Sequence, residues 1–524
     1  MLKQRQNHLG TLFLVLSLIL LGSGCSDGTN SNSTGANPLH DSGWTMIIPP
    51  QVIGHGEGSH MVPPTQLQSY FNYDIHKKLK SIDGVAGYGA FYTEHDLTVD
   101  LLIKKEQLTI TNKYVGGLVS NFSYKADGET HQTYTRDVHR DIDSTTSNPE
   151  INFLETKQYG DTIHWVALTG QKKILYYHAG VVPVDSASKQ EKYSGDAQLL
   201  DVKFPPSGLP KELKLLVFYE DAAIEHFYDN KWYSLHVPSA AAGYSTKSVE
   251  WGLDSNQSPH VVVGHTNAAI DYYHPGREDP WIGLSGPLPE RGLPIVKVQW
   301  TDTPEETAEI VAGYGNGEIW YKKGLDGKEN WVQLRAAQET GFAPNICQLE
   351  VRFADTKDTS TAPYPEVLCI EVNGRIAYFN GNADGEWLDM RDPVAGITPE
   401  VMRDGNLYHS TRIIVRNWTS GGTTDYSWTP EFCALWTVDY DEKIKGGKRH
   451  TTVSALDLFY TRTPYSHASL HLYRADAPFL PGLRVTELAC AWNPGGDLDS
   501  SGLDILITDA WPKGGVHFKQ VVYP

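Results

Sequence analysis

The residues most able to do chemistry are carboxylates near the C-terminus, in the stretch WNPGGDLDSSGLDILITD at residues 492–509. Asp497, Asp499, Ser501, Gly502 and Asp504 fall within eight residues. Oxygen side chains at alternating positions are what a hard cation such as calcium takes. The same residues would also make an Asp/Ser/Gly turn whose carboxylates cap loop amides. A second set, Tyr219, His265, Tyr314 and Glu371, stands two residues before the turns of four similar hairpins. Polar, aromatic and titratable groups gathered at one end of a fold could bind a polyol by hydrogen bonds and ring stacking. The plainer reading is that hairpin ends are polar because they are solvated. No G-x-S-x-G, H-E-x-x-H or P-loop occurs, and the 20 histidines are scattered without a metal-type pair. LDGKENW at residues 325–331 approaches a sialidase Asp-box, but its central Gly is misplaced. No catalytic residue can be singled out.

Those residues have to be held by strands, and the strands repeat. LLVFYEDAAIEHFY, VVVGHTNAAIDYYH, EIVAGYGNGEIWYK and VLCIEVNGRIAYFN each read as an apolar strand, an Asp or Asn turn, and a second strand opening on Ile. The turn residues Asp221, Asn267, Asn316 and Asn373 stand 46, 49 and 57 residues apart. Asn-Gly at residues 316–317 and 373–374 supplies the positive φ that tight hairpins need, and Asp221–Ala222 and Asn267–Ala268 are weaker versions. A looser copy, HWVALTGQKKILYYH, precedes them, and two more follow at residues 455–474 and 504–521.

Each hairpin is framed. Before it comes a short strand ending in Phe204, Trp251, Trp300 or Phe353. After it comes Trp232, Trp281, Trp331 or Trp387, with Leu or Met three residues on. Four strands in about 50 residues is the signature of a β-propeller blade. The framing aromatics are expected to pack one blade against the next, because a blade cannot bury its faces alone. The fold class expected is all-β, a propeller of about seven four-stranded blades, with six and eight as bounds. The 94 residues between Ile376 and Leu470 leave room for two periods, with IIVRNW and LWTVDY as candidate strands. The final KQVVYP is placed to help close a blade built from both termini.

Composition agrees: 28 Tyr, 14 Trp, 48 Gly and 30 Pro suit short strands and turns. With 44 basic against 63 acidic residues, a basic surface for nucleic acid is not expected. Lys3 and Arg5, the apolar run LGTLFLVLSLILL and the small-residue exit LGSGCS read as a signal peptide over residues 1–24. LGSGCS resembles a bacterial lipobox, which implies lipidation at Cys25. Gly22 departs from the pattern, standing where Leu is usual. Residues 25–42 are a Ser/Asn/Gly-rich spacer. Residues 43–524 form the propeller, weakly patterned over 43–160 and clearer over 161–524. No later segment has the roughly twenty apolar residues of a membrane span. The expected location is the bacterial envelope, anchored by lipid, with the outer membrane favoured. Cys347, Cys369, Cys433 and Cys490 lack zinc spacing and are open to two bridges or to buried thiols.

The order of strand, Asp-rich loop, LDILIT and GGVHF resembles the FG-GAP/VCBS type of propeller repeat, in degenerate form. That resemblance implies calcium held by Asp497, Asp499, Ser501 and Asp504. Ser501 replaces a carboxylate of the pattern, and Asp504 comes one residue early. Sheet-loop counterparts elsewhere keep less of it: Asp254, Asn256 and Ser258 are followed by His260 where an acid is wanted. In propellers of this kind the end opposite the calcium loops often carries ligand sites, which is where Tyr219, His265, Tyr314 and Glu371 would lie. The expected function is an envelope-anchored binding module for a glycan or partner protein. The alternatives are a carbohydrate-active lyase, hydrolase or dehydratase on the same scaffold, and a structural part of an envelope assembly.

Overall fold

The computed structural model describes residues 45–48, 51–53, 60–62, 64–76, 78–88, 90–102, 105–116, 119–125, 128, 130–134, 151–159, 162–169, 174–177, 181–184, 197–204, 213–219, 223–229, 231–236, 238, 243–284, 294–300, 308–325, 330–336, 346–353, 363–371, 376–383, 385, 387–391, 408–417, 431–444, 447–460, 466–472, 485–492, 502–509 and 515–522. Among them every regular element is a strand. Cys25, Asn373–Gly374 and the residues Asp497, Asp499 and Ser501 lie outside the described set.

Eight antiparallel sheets of four strands carry the fold among these residues. In chain order, sheet one lies within residues 64–134, sheet two within 151–184, sheet three within 197–234 and sheet four within 246–283. Sheet five lies within 295–335, sheet six within 346–391 and sheet seven within 408–472. Sheet eight takes three strands from residues 485–522 and its fourth, Thr45–Ile48, from the other end of the chain, paired with Val516–Val522. The sheet drawn from both termini is therefore present.

Burial follows strand order. Second strands are apolar runs covered on both faces: every residue of Pro259–His265 is buried, as are five of six in Lys214–Tyr219. Fourth strands such as Lys231–Ser234 alternate with solvent. Each fully buried Val, Leu or Ile contributes about 1.5–3 kcal/mol, so the seams between sheets carry most of the stability. Val166, Leu168 and Ile174 of sheet two meet Val202, Leu215 and Val217 of sheet three. Leu216, Phe218 and Ile224 of sheet three meet Trp251, Val261 and Val263 of sheet four. The pattern continues from four to five and from five to six. Ile47, Ile48, Leu506 and Val516 of sheet eight pack on Leu67, Ile82 and Phe122 of sheet one.

Three sequence expectations change. ALDLFYTRTPYSHASLHLYR forms a hairpin, but from the third and fourth strands of sheet seven, because IIVRNW and LWTVDY supply its first and second. Among the described residues, 376–470 hold one four-stranded sheet beyond sheet six, and its middle hairpin, Glu431–Ile444 with Gly447–Tyr460, is unusually long. Trp251 also stands two register positions from Phe204, Trp300 and Phe353. Its strand continues through Gly252 and Leu253, so Trp251 faces Val261 in mid-strand.

Candidate functional site

Tyr219, His265, Tyr314 and Glu371 occupy one register position on four consecutive sheets. Each lies one residue past Phe218, Gly264, Gly313 or Ile370, and these face Ile224, Ile270, Ile319 and Ile376, which open the third strands. All four are therefore at the same end of their sheets, the end of the turn between second and third strands. They are also buried, at 8% exposure for Tyr219 and 0% for the others. Instead of a solvated rim they form polar plugs in the seams.

Each plug has its own chemistry. The Tyr219 hydroxyl donates to Glu225 Oε2 at 2.9 Å. His265 Nε2 lies 3.3 Å from Asp271 Oδ2, at an angle too poor for a hydrogen bond, so both atoms remain without a hydrogen-bond partner. Tyr314 packs against Ala268, Ile270 and Leu284 of sheet four, and its hydroxyl finds no hydrogen-bond partner among the described residues. Burial, then the nearby Glu318 charge, pushes that hydroxyl far above the usual tyrosine range. Glu371 accepts from Arg335 Nη2 at 2.5 Å, a buried ion pair across the seam between sheets five and six. Arg335 also stands over Trp387, 5.2 Å from the ring centroid.

Turn and bulge geometry fixes this end. Asn267 and Asn316 accept from the amides of Ala269 and Glu318, each at 3.1 Å. Ala268 takes φ 73° and Gly317 φ 83°, so Asn-Ala adopts the conformation expected of Asn-Gly. The facing first strands begin with a register shift in most sheets, including Ile151/Phe153, Ala197/Leu199, Thr246/Ser248, Ile346/Gln348 and Val485/Leu488. A bulge there twists the strand and re-aims its first side chain.

The same end carries the departures from repetition. Between the second and third strands of sheet one, Ala90–Leu102 and Lys105–Gly116 form a separate two-stranded ribbon. At about 3.3 Å per residue it is about 40 Å long. In sheet seven, the middle hairpin runs past its neighbours: Asp439–Ile444 pairs only with Gly447–Thr452. A third ribbon, Gln51–Ile53 with His60–Val62, follows the fourth strand of sheet eight, whose last residue Ile48 faces Val516 beside that turn. All three arise from sheets seven, eight and one.

At the opposite end, the one described acid of the calcium-type loop serves the fold. Asp504 is buried, and its Oδ2 accepts from the Tyr73 hydroxyl of sheet one at 2.8 Å. Burial raises its pKa. The equivalent loop of sheet four is an Asx turn: Asp254 Oδ1 accepts from Asn256 and Ser258 amides, both at 2.8 Å. Asp74 of sheet one does the same for His76 and Lys78. Among the described residues, no group of three or more His, Cys, Asp or Glu is placed to hold a metal ion. Cys369 and Cys433 are buried and Cys490 is half-buried, with no disulfide between them.

Sequence reading missed a polar column. Val166, Leu216, Val262, Val311 and Leu368, two residues before the positions facing the third-strand isoleucines, pair with Glu155, Asp201, Glu250, Lys297 and Glu350 on the first strands. Counting from the turn through the hairpin to the first strand would have found it. Counting from the framing aromatics did not, because Trp251 is out of register.

No family model matches the chain, and no curated protein sequence matches it. Among solved structures it is similar to BBS1N in complex with ARL6DN, at TM-score 0.33 and 14% identity over 71% of this chain and 91% of that one. It is also similar to Sqt1 of Saccharomyces cerevisiae, at TM-score 0.40 and 11% identity over 74% and 96%. Function has to be argued from the chain's own residues.

Proposed function

We propose that the eight sheets are the blades of a closed β-propeller, a degenerate relative of the FG-GAP/VCBS type, which acts as a binding module. The seam between sheets eight and one supports closure, since it joins the two ends of the series. The observation that carries the function is the clustering of three ribbons at one end of three consecutive sheets. A repeat scaffold that departs from its symmetry at one place marks where selection acted on something other than packing. The ribbon end is the docking face for a glycan or protein partner, and the plugs Tyr219, His265, Tyr314 and Glu371 brace the seams beneath it.

The chain enters Thr45–Ile48 from the opposite end, because Ile48 lies at the ribbon end. A lipid at Cys25 would hold the module outside the cytoplasm, where the ribbons meet a partner. The FG-GAP/VCBS resemblance would make calcium its cofactor, held by Asp497, Asp499, Ser501 and Asp504.

Photocrosslinking tests this reading. A crosslinker placed at residue 97 or 443 on the ribbons should trap a partner, and one placed at residue 257 should not. Trapping only from residue 257 would overturn the assignment. A glycan array probed with and without a calcium chelator separates sugar from protein partners. Turnover of a bound polysaccharide would instead make the protein an enzyme on the same scaffold.

A further inference from the structure

The polar column on the first strands is a chemical cluster in its own right. The first strands of neighbouring sheets lie side by side from sheet three to sheet six. Glu155, Asp201 and Glu250 stand at matching positions on sheets two, three and four, with Lys297 at that position on sheet five. Lys203 is two residues from Asp201 on the same face of its strand. All five side chains are partly buried. The column thus sets the carboxyls of Glu155, Asp201 and Glu250, with Glu350 beyond Lys297 on sheet six, against the ammoniums of Lys203 and Lys297, and neither cation is fully committed to an acid. Lys297 Nζ is 3.6 Å from Glu250 Oε1, and Lys203 Nζ sits 5.0 Å above the Trp251 ring. From sheet one, the Tyr70 hydroxyl bonds Thr156 at 2.9 Å and Gln68 Nε2 bonds the Leu154 carbonyl, while Lys157, exposed, stands two residues from Glu155 on the same face of its strand.

We propose that Glu155, Asp201 and Glu250 share protons as one cluster, making the seams between sheets two and five a pH-responsive element of the fold. Three carboxylates against two lysines leave an excess negative charge in a half-buried place, and holding a proton relieves it. The direction of titration agrees. Burial, then the charge of Asp201, pushes Glu155 up to about 7. Burial also pushes Glu250 up to about 7, against the opposing pull of Lys297, and raises Asp201. An acid whose pKa is raised by folding binds more protons folded than unfolded. Its contribution is therefore complete at acid pH and is lost as pH rises from the ordinary carboxyl range toward 7. Above that range the seams carry unrelieved charge and loosen.

The test compares the full chain with Glu250→Gln and Glu155→Gln, since glutamine imitates the protonated acid at every pH. Urea midpoints should nearly coincide with wild type at pH 4, below the ordinary carboxyl range, and each variant should be the more stable at pH 8. A second readout does not depend on variants folding: the carbonyl stretch of protonated carboxyls in folded wild type should persist at pH 6 and vanish by pH 8. A pH-independent offset for Glu250→Gln, or no protonated carboxyl at pH 6, overturns the proposal.

Discussion

The indole nitrogen of Trp281 donates a 2.7 Å hydrogen bond to the backbone carbonyl of Leu235, one sheet earlier. Trp331 does the same to Leu284 at 3.0 Å, and Trp387 to Leu334 at 2.7 Å. The Trp that closes each unit is thus tied to the residue three places after the previous unit's Trp. Leu235 and Leu284 are themselves anchored, their amides donating to Ile224 and Ile270 carbonyls. The framing pattern seen in the sequence is a chain of inter-sheet bonds.

Trp281→Phe keeps the ring but removes the donor, leaving a carbonyl at a buried residue without it. A loss of about 1–3 kcal/mol is expected, and the same for Trp331→Phe. Trp320 is the contrast, because its indole bonds Glu318 within its own hairpin at 3.0 Å. Urea midpoints measure all three. An equal or larger loss for Trp320→Phe would show that the inter-sheet bond is not what matters.

Arg335 and Glu371 make a buried pair across a seam, so removing one partner strands the other. Arg335→Met should cost about 3–5 kcal/mol, while Arg335→Met with Glu371→Leu should recover most of it. A double-mutant cycle reads the coupling. Additive losses would mean the two side chains stabilise independently.

The repeat, and the common end of the sheets at which Tyr219, His265, Tyr314 and Glu371 lie, were legible in the sequence because hairpin turns obey strict local chemistry: Asn316–Gly317 and its relatives announce themselves. The burial of Tyr219, His265, Tyr314 and Glu371 was not legible. A residue two positions before a turn is exposed in an isolated hairpin, and only the neighbouring sheet covers it, as Arg335 shows for Glu371. The polar column was hidden for a related reason. Glu155, Asp201, Glu250 and Lys297 do not keep one residue type or even one charge, and their equivalence exists only through strand pairing. The first and seventh sheets read poorly because their long ribbons break the period.

Gly264 and Gly313 occupy the matching position just before the plugs, where the next sheet leaves no room for a side chain on sheets four and five. A Cβ at Gly264 would come within 2.8 Å of the Pro294 carbonyl oxygen, and one at Gly313 within 2.8 Å of Leu349 Cδ1. Alanine at either should cost about 1–3 kcal/mol by overpacking. Gly283→Ala, whose nearest neighbour would be at 3.6 Å, should be close to neutral. If all three variants melt alike, the close approach of sheets at this position is not a constraint.

His226 gives the opposite pH signature to the carboxyl cluster. It is buried against the Trp251 ring at 5.6 Å, and its Nε2 has no hydrogen-bond partner. Burial, then the charge of Lys214, pulls its pKa down to about 4. A histidine with a depressed folded pKa binds fewer protons folded than unfolded between about 4 and 6.5, so it costs stability as pH falls through that window. His226→Phe keeps an aromatic ring in the seam and removes the titration. Its stability relative to wild type should therefore rise on acidification from pH 6.5 to 4, by on the order of 2 kcal/mol. Because the carboxyls gain stability over much of the same range, the wild-type curve alone will look flat. The difference between the two curves carries the information, and parallel curves would mean His226 stays neutral, or charged, in both states.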